Sequence, residues 1–160
     1  MKKILSLSLL ISLLFFGCAY KRAVEKSQSY LFTIKMKNIA FSDMGFLNIG
    51  KDFVDLQLFD AGNLVFELKI SNYICVNGHC FSKEEFNEKF LSKTYPLDTL
   101  ERILRGKTIF QKRDLNRKED GFSQNIKEKD LYIKYFVSKN KIYFKDYKNH
   151  ILIKLINVGS

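Results

Sequence analysis

The chain has 160 residues, 46% of them hydrophobic and 14% aromatic, with fifteen Phe, eight Tyr, one Pro and no Trp. That suffices for one domain with a real core, argues against a second, and suits strand-forming segments better than a disordered tail. The net charge of +10 attracts anionic partners, although a solvated surface rich in lysine accounts for the same excess.

The N-terminus reads as an export signal. Met1, Lys2 and Lys3 form a positive start, Ile4 to Phe16 is apolar except for Ser6, Ser8 and Ser12, and Gly17-Cys18 closes the segment. This run is too short and wrongly flanked for a stable membrane-spanning helix. Leu14-Phe15-Phe16-Gly17-Cys18 is similar to a lipobox, where cleavage precedes a cysteine that carries diacylglycerol, with palmitate as a typical further acyl group. Gly17 meets the need for a small residue before the cut, and several acyl chains together give a stable anchor. By the same resemblance Ala19, in place of an inner-membrane Asp signal, directs the protein to the periplasmic face of the outer membrane. The expected organisation is residues 1–17 as signal peptide, 18–29 as lipidated cysteine and tether, and 30–160 as one β-rich domain. Removing Lys2 and Lys3 from the +10 total leaves +8 on the mature chain. Export directs that charge toward lipid head groups or lipopolysaccharide and away from nucleic acid.

Strand signals follow. Phe32, Ile34 and Met36 alternate with polar residues, as do Val54, Leu56 and Leu58, while Leu64, Phe66, Leu68 and Ile70 give the cleanest period of two. Asp60-Ala61-Gly62-Asn63 reads as a turn between two of these runs. Asn77-Gly78 predicts a two-residue hairpin loop, because both residues accept positive φ. That loop places Cys75 opposite Cys80 on a non-hydrogen-bonded pair, close enough for a disulfide. One lipidated and two paired cysteines suit an oxidising compartment. A metal site from Cys75, His79 and Cys80 lacks a fourth ligand, so no metal is expected.

Ser82-Lys83-Glu84-Glu85 is a capping box, with Phe81 and Phe86 placed as a hydrophobic staple, and predicts a helix over residues 83–91. Pro96 opens a second helix with Leu97, Leu100, Ile103 and Leu104 on one face, and Gly106 ends it. Residues 107–110 read as a strand and 112–121 as an exposed, charge-rich loop. Leu131, Ile133, Tyr135 and Val137, then Ile142 and Phe144, then residues 151–158 read as closing strands. The last is apolar on both sides, with Ile151, Ile153 and Leu155 against Leu152, Ile156 and Val158, so it is either sandwiched or lines an apolar cavity.

No catalytic pattern is visible. Only His79 and His150 are available, and there is neither a nucleophile elbow, a zinc-protease motif nor a glycine-rich phosphate loop. Asp52, Asp55, Glu84, Glu85 and Glu119 read as turn, cap and surface acids. The chain is therefore read as a non-enzyme without a cofactor.

The order of elements from Leu56 to Val158 resembles the LolA/LolB family of periplasmic lipoprotein carriers, on its outer-membrane receptor side. A strand pair around Gly62, the Asn77-Gly78 hairpin, a short helix over Phe81 to Leu91, and Tyr95-Pro96-Leu97-Asp98-Thr99-Leu100-Glu101-Arg102-Ile103-Leu104-Arg105-Gly106 carry the resemblance. It departs at Ile103-Leu104, where receptors usually place Trp. The resemblance implies a mainly β (α+β) fold, a curved antiparallel sheet or incomplete β-barrel whose two short helices cover an apolar cavity for the acyl chains of cargo lipoproteins. It implies a LolA-like soluble carrier as donor, and a monomer. Phe66, Leu68, Leu100, Leu104, Ile133, Tyr135, Phe144, Ile153 and Leu155 are then the expected lining, or else ordinary core. Family receptors also project an apolar loop residue into the bilayer; Met44, Phe46 and Leu47 are the candidates here, or else buried strand residues around a bulge glycine. The competing function is a non-catalytic β-sandwich lipoprotein acting as an adhesin or assembly partner.

Overall fold

The computed structural model describes residues 23–159. The expected signal peptide, Cys18 and the start of the tether lie outside the described residues.

Eleven strands form one antiparallel sheet. They are β1 (Val24–Met36), β2 (Ile39–Gly50), β3 (Val54–Asp60), β4 (Asn63–Ile70), β5 (Ile74–Val76), β6 (His79–Phe81), β7 (Leu115–Lys118), β8 (Gly121–Lys127), β9 (Tyr132–Ser138), β10 (Lys141–Asp146) and β11 (Ile151–Asn157). Their order is β6-β5-β4-β3-β2-β1-β11-β10-β9-β8-β7: two meanders joined where β1 pairs with β11. The sheet is not closed. Its edges, β6 and β7, are only three and four residues long, which limits the unpaired backbone offered to other chains.

This topology dictates where the helices go. The chain leaves the sheet at one edge, β6, and must re-enter at the other, β7, so residues 82–114 cross one face. They carry α1 (Lys83–Phe90) and α2 (Thr99–Leu104). The face they cross is apolar: Phe32 and Ile34 of β1, Val54, Leu56 and Leu58 of β3, Leu68 and Ile70 of β4, Ile133 and Tyr135 of β9, Phe144 of β10 and Ile153 and Leu155 of β11 are each buried. Together with Phe86, Leu100, Ile103 and Leu104 of the helices they make one connected cluster. Buried apolar surface contributes about 25 cal/mol per Å², so this face holds both halves of the sheet to the same helices. All eleven strands belong to one hydrogen-bonded sheet with helices against it, and not to two separate stacked sheets.

Local chemistry explains the elements. Ser82 accepts from the Glu85 amide at 3.1 Å while the Glu85 carboxylate accepts from the Ser82 amide at 2.8 Å, completing the capping box. Phe81 packs edge-on to Phe86 and Phe90. Gly106, at φ 63°, ends α2. The loop at Asn77-Gly78 has φ of 46° and 83°, and Cys75 lies directly opposite Cys80, to which it is disulfide-bonded. Non-reducing mass spectrometry is expected to recover a peptide linking the two, and the Cys75→Ser/Cys80→Ser variant to lose about 2 kcal/mol of stability, the loop being short.

Several elements differ from the sequence reading. Residues 107–110 do not form a strand, because Phe110, Gln111 and Lys112 take positive φ and make a left-handed turn. The Gln124 side chain replaces a pairing strand, accepting from the Ile109 amide at 2.8 Å and donating to its carbonyl at 3.0 Å. The expected loop over 112–121 contains β7, paired in a hairpin with β8. The second helix starts three residues after Pro96, since Pro96 to Thr99 first makes a turn, and Leu97 is consequently exposed. Strand β1 begins at Val24, inside the expected tether. The terminal strand is buried on one side only: Leu152 and Ile156 are half-exposed on the sheet's outer surface, neither sandwiched nor turned toward the helices. Among the described residues no helix is long and apolar enough to cross a membrane.

Candidate functional site

The structure brings the nine expected lining residues to one place. Leu68, Leu100, Leu104, Ile133, Tyr135, Phe144, Ile153 and Leu155 are buried between sheet and helices, and Phe66 is half-buried, its ring 4.4 Å from that of Phe41. Alternation places the strand residues there, and a spacing of four puts Leu100 and Leu104 on the same side of α2.

The buried side chains of sheet and helices form one contiguous cluster here. One cleft that reaches it beside α2 is about 120 Å³, bounded by Tyr30, Ile49, Leu104, Val137 and Ile142 with Arg105 and Lys141 at the rim. Cavities that hold small-molecule ligands usually measure about 300–1,000 Å³. Larger clefts of about 980, 510, 480 and 300 Å³ are open at the surface: along Lys26 to Ser29, along Lys51 to Phe53, between Lys35 and Asp146 to Leu152, and between Pro96, Phe110 and Leu131.

The cover is held by a few polar contacts. The Arg105 guanidinium donates to the Gly50 and Phe53 carbonyls at 3.0 and 3.1 Å and to Glu101 at 3.0 Å, and Glu101 also pairs with Lys83 at 3.3 Å. α2 is thus tied to α1 on one side and to the β2–β3 connection on the other. Beyond α2 the Tyr135 hydroxyl donates to the Lys107 carbonyl at 2.9 Å. Arg105→Ala is expected to cost about 1–3 kcal/mol, the range for hydrogen bonds to a charged, partly buried group, and to speed amide exchange selectively in residues 99–109, readable by hydrogen exchange.

One buried acid stands out. Asp146 is fully buried; it accepts from the Tyr95 hydroxyl at 2.7 Å, from Asn149 Nδ2 at 2.7 Å, and from the amides of Lys148 at 3.0 Å and Tyr132 at 3.2 Å. Burial alone pushes its carboxyl up. The hydrogen bonds from Asn149, Tyr95, Tyr132 and Lys148 outweigh that and hold it below the usual Asp value. The Tyr95 phenol is pushed far up, first by burial and then by the carboxylate it faces. A neutral phenol donating to a permanent carboxylate is a structural clasp, since neither group changes charge near neutral pH. It fastens the segment before Pro96 to the end of β10. Asp146 shares strand parity with Ile142 and Phe144, and an acid at an inward position was the signal available in the sequence.

No family model matches the chain, and no curated protein matches it.

The expected membrane-insertion segment is strand and not loop. Met44, Phe46 and Leu47 all lie within β2. Leu47 is buried and faces the helices, whereas Met44 and Phe46 are 55% and 45% exposed on the opposite, outer surface. Gly45 between them sits where a Cβ would meet the Gln57 carbonyl oxygen at 2.1 Å, so β2 approaches β3 too closely there for any side chain.

Proposed function

We propose that the chain is an outer-membrane-anchored lipoprotein that binds acyl chains between its sheet and helices, takes lipoproteins from a LolA-like soluble carrier and inserts them in the outer membrane. The observation that supports this best is an unclosed antiparallel sheet of eleven strands whose apolar face is covered by only two helices, of eight and six residues. In this proposal the sheet is an incomplete, curved barrel and the helices are its lid. Helices this short have little stability of their own, so lifting the lid breaks the Arg105 contacts, the Lys83–Glu101 pair and the Tyr135–Lys107 hydrogen bond while leaving the ladder of the sheet in place. The exposed interior then exchanges its own side-chain packing for acyl chains, which is apolar burial against apolar burial. Transfer needs no bond-making step, only higher affinity for cargo than the donor has.

Depletion of the protein followed by membrane fractionation tests this directly. The proposal expects other lipoproteins to accumulate with the soluble carrier or in the inner membrane. Normal delivery to the outer membrane would refute it. The contiguous buried cluster between sheet and helices favours a second reading, a lipid-tethered, non-catalytic β domain that serves as an adhesin or assembly partner; normal lipoprotein delivery together with a loss of adhesion or of an envelope complex would point there.

A further inference from the structure

The sheet has a second large surface, the outer one, and its two halves differ in charge. Strands β7 to β11 hold a single acid, Asp146, which points inward and is buried. On the outer side of those strands stand Lys118, Lys127, Lys134, Lys141, Lys145 and Lys154. Among the described residues none of these six makes a salt bridge, whereas Lys69, on the β4 side of the sheet, is paired with Glu67 at 2.7 Å. Lys134 and Lys145 lie directly opposite each other across β9 and β10, a like-charge pair that costs stability and has no carboxylate partner among the described residues.

Aromatic rings separate these lysines. Lys127 and Lys134 lie over Tyr132 at 5.0 and 5.8 Å, Lys145 over Tyr147 at 4.6 Å, Lys141 over Tyr143 at 5.5 Å and Lys118 over Phe136 at 5.5 Å. Tyr132 and Tyr147 stack with centroids 4.8 Å apart. The register continues the surface toward apolar residues: Lys141 pairs with Ile156, Ile156 with Leu31 and Leu31 with Met44. Ammonium groups on flexible stems, amphipathic rings and a neighbouring half-exposed apolar row are the components that settle at the head-group level of a bilayer.

We infer that the outer surface of β7–β11 docks on an anionic lipid bilayer, with the lysines on the phosphates and Tyr132, Tyr143 and Tyr147 at the head-group level. Charge complementarity carries the inference: six cations without a salt-bridge partner among the described residues form one surface, and a polyanionic plane meets all of them at once. The anchor proposed above adds reach, and this one step rests on it. From Cys18 to Val24 is six residues, at most about 20 Å of extended chain, and β1 pairs directly with β11 of the basic half.

The test needs no lipid anchor, so its failure is separate from that of the acyl-carrier proposal. The mature chain from residue 18 with Cys18→Ser keeps the whole core, from Tyr30 to Leu155. Its co-sedimentation is measured with vesicles of phosphatidylglycerol and phosphatidylcholine, and with phosphatidylcholine alone. Binding is expected to the first only, weakening as salt is raised. Lys134→Gln/Lys141→Gln/Lys145→Gln is expected to lower partitioning about a hundredfold at low salt, while the charge-matched Lys37→Gln/Lys51→Gln/Lys93→Gln, on exposed sites elsewhere, changes it far less. Equal loss in both triple variants would overturn the inference, as would equal binding to neutral vesicles. So would retention on heparin without binding to anionic vesicles, which would assign the surface to a soluble polyanion.

Discussion

Asp146→Ala is expected to lower the unfolding free energy by about 3–5 kcal/mol, the range for removing one partner of a buried charged network. At roughly 3–5 °C per kcal/mol for a domain of this size, the melting temperature falls by about 10–20 °C. The loss is large because the Tyr95 hydroxyl, the Asn149 side-chain amide and the backbone amides of Tyr132, Lys148 and Asn149 all donate to this one carboxylate; without it each buried donor keeps its desolvation penalty unrewarded. The pH dependence has a definite sign. The folded carboxyl titrates below its unfolded value, so the carboxylate's contribution is fully present above the ordinary Asp value of about 3.9 and is lost as pH falls through the lower folded value. The melting-temperature gap between wild type and Asp146→Asn should therefore be constant above about pH 5 and narrow below about pH 4. A gap that widens on acidification would contradict the clasp.

Phe144→Ala carries the second large effect and separates stability from binding. Phe144 is wholly buried, its ring about 6.1 Å from those of both Tyr95 and Tyr135. Truncating it removes transfer free energy and leaves a void, at a cost of about 3–5 kcal/mol, seen by denaturant or thermal unfolding. The void forms under the helical cover beside expected lining residues. If acyl chains occupy that space, a variant kept well below its melting temperature should bind a sixteen-carbon fluorescent fatty acid more tightly than wild type, because it has less packing to displace. Weaker binding by a folded variant, judged by circular dichroism, would instead mark Phe144 as a ligand contact already exposed to cargo. No binding by either protein would count against the carrier.

What the sequence revealed follows from how strictly each segment obeys one rule. The Asn77-Gly78 hairpin, the cysteine pair and the Ser82 capping box each depend on residues a few positions apart, and the structure contains all three. The inward faces were legible over Tyr30–Met36 of β1, Val54–Leu58 of β3 and Ile151–Leu155 of β11, where apolar residues occupy every second position. Strand β8 was hidden by Gln124, a polar side chain at an inward position between Phe122 and Ile126, whose purpose is to satisfy the backbone of Ile109 and Arg113. Strand β7 has only Leu115 to mark it, and pairing at a sheet edge requires no apolar pattern. The residues of strand β2 fit loop and strand alike because Ser42, Asp43, Gly45 and Asn48 interrupt both faces; its pairing with β1 over most of its length comes from the neighbouring strand. Of the candidate site, the residues facing the helices were legible by parity. How tightly they pack depends on contacts between distant elements and not on local pattern, so that was not.

The most direct measurement uses a diacylated lipopeptide carrying a photoactivatable diazirine in one acyl chain, cross-linked to the protein and mapped by mass spectrometry. Acyl chains held between sheet and helices predict adducts at Leu100, Leu104, Ile133 and Ile153. Adducts confined to the outer surface around Met44, Tyr143 and Ile156, or none above the level of a lysine-rich control protein, would contradict it.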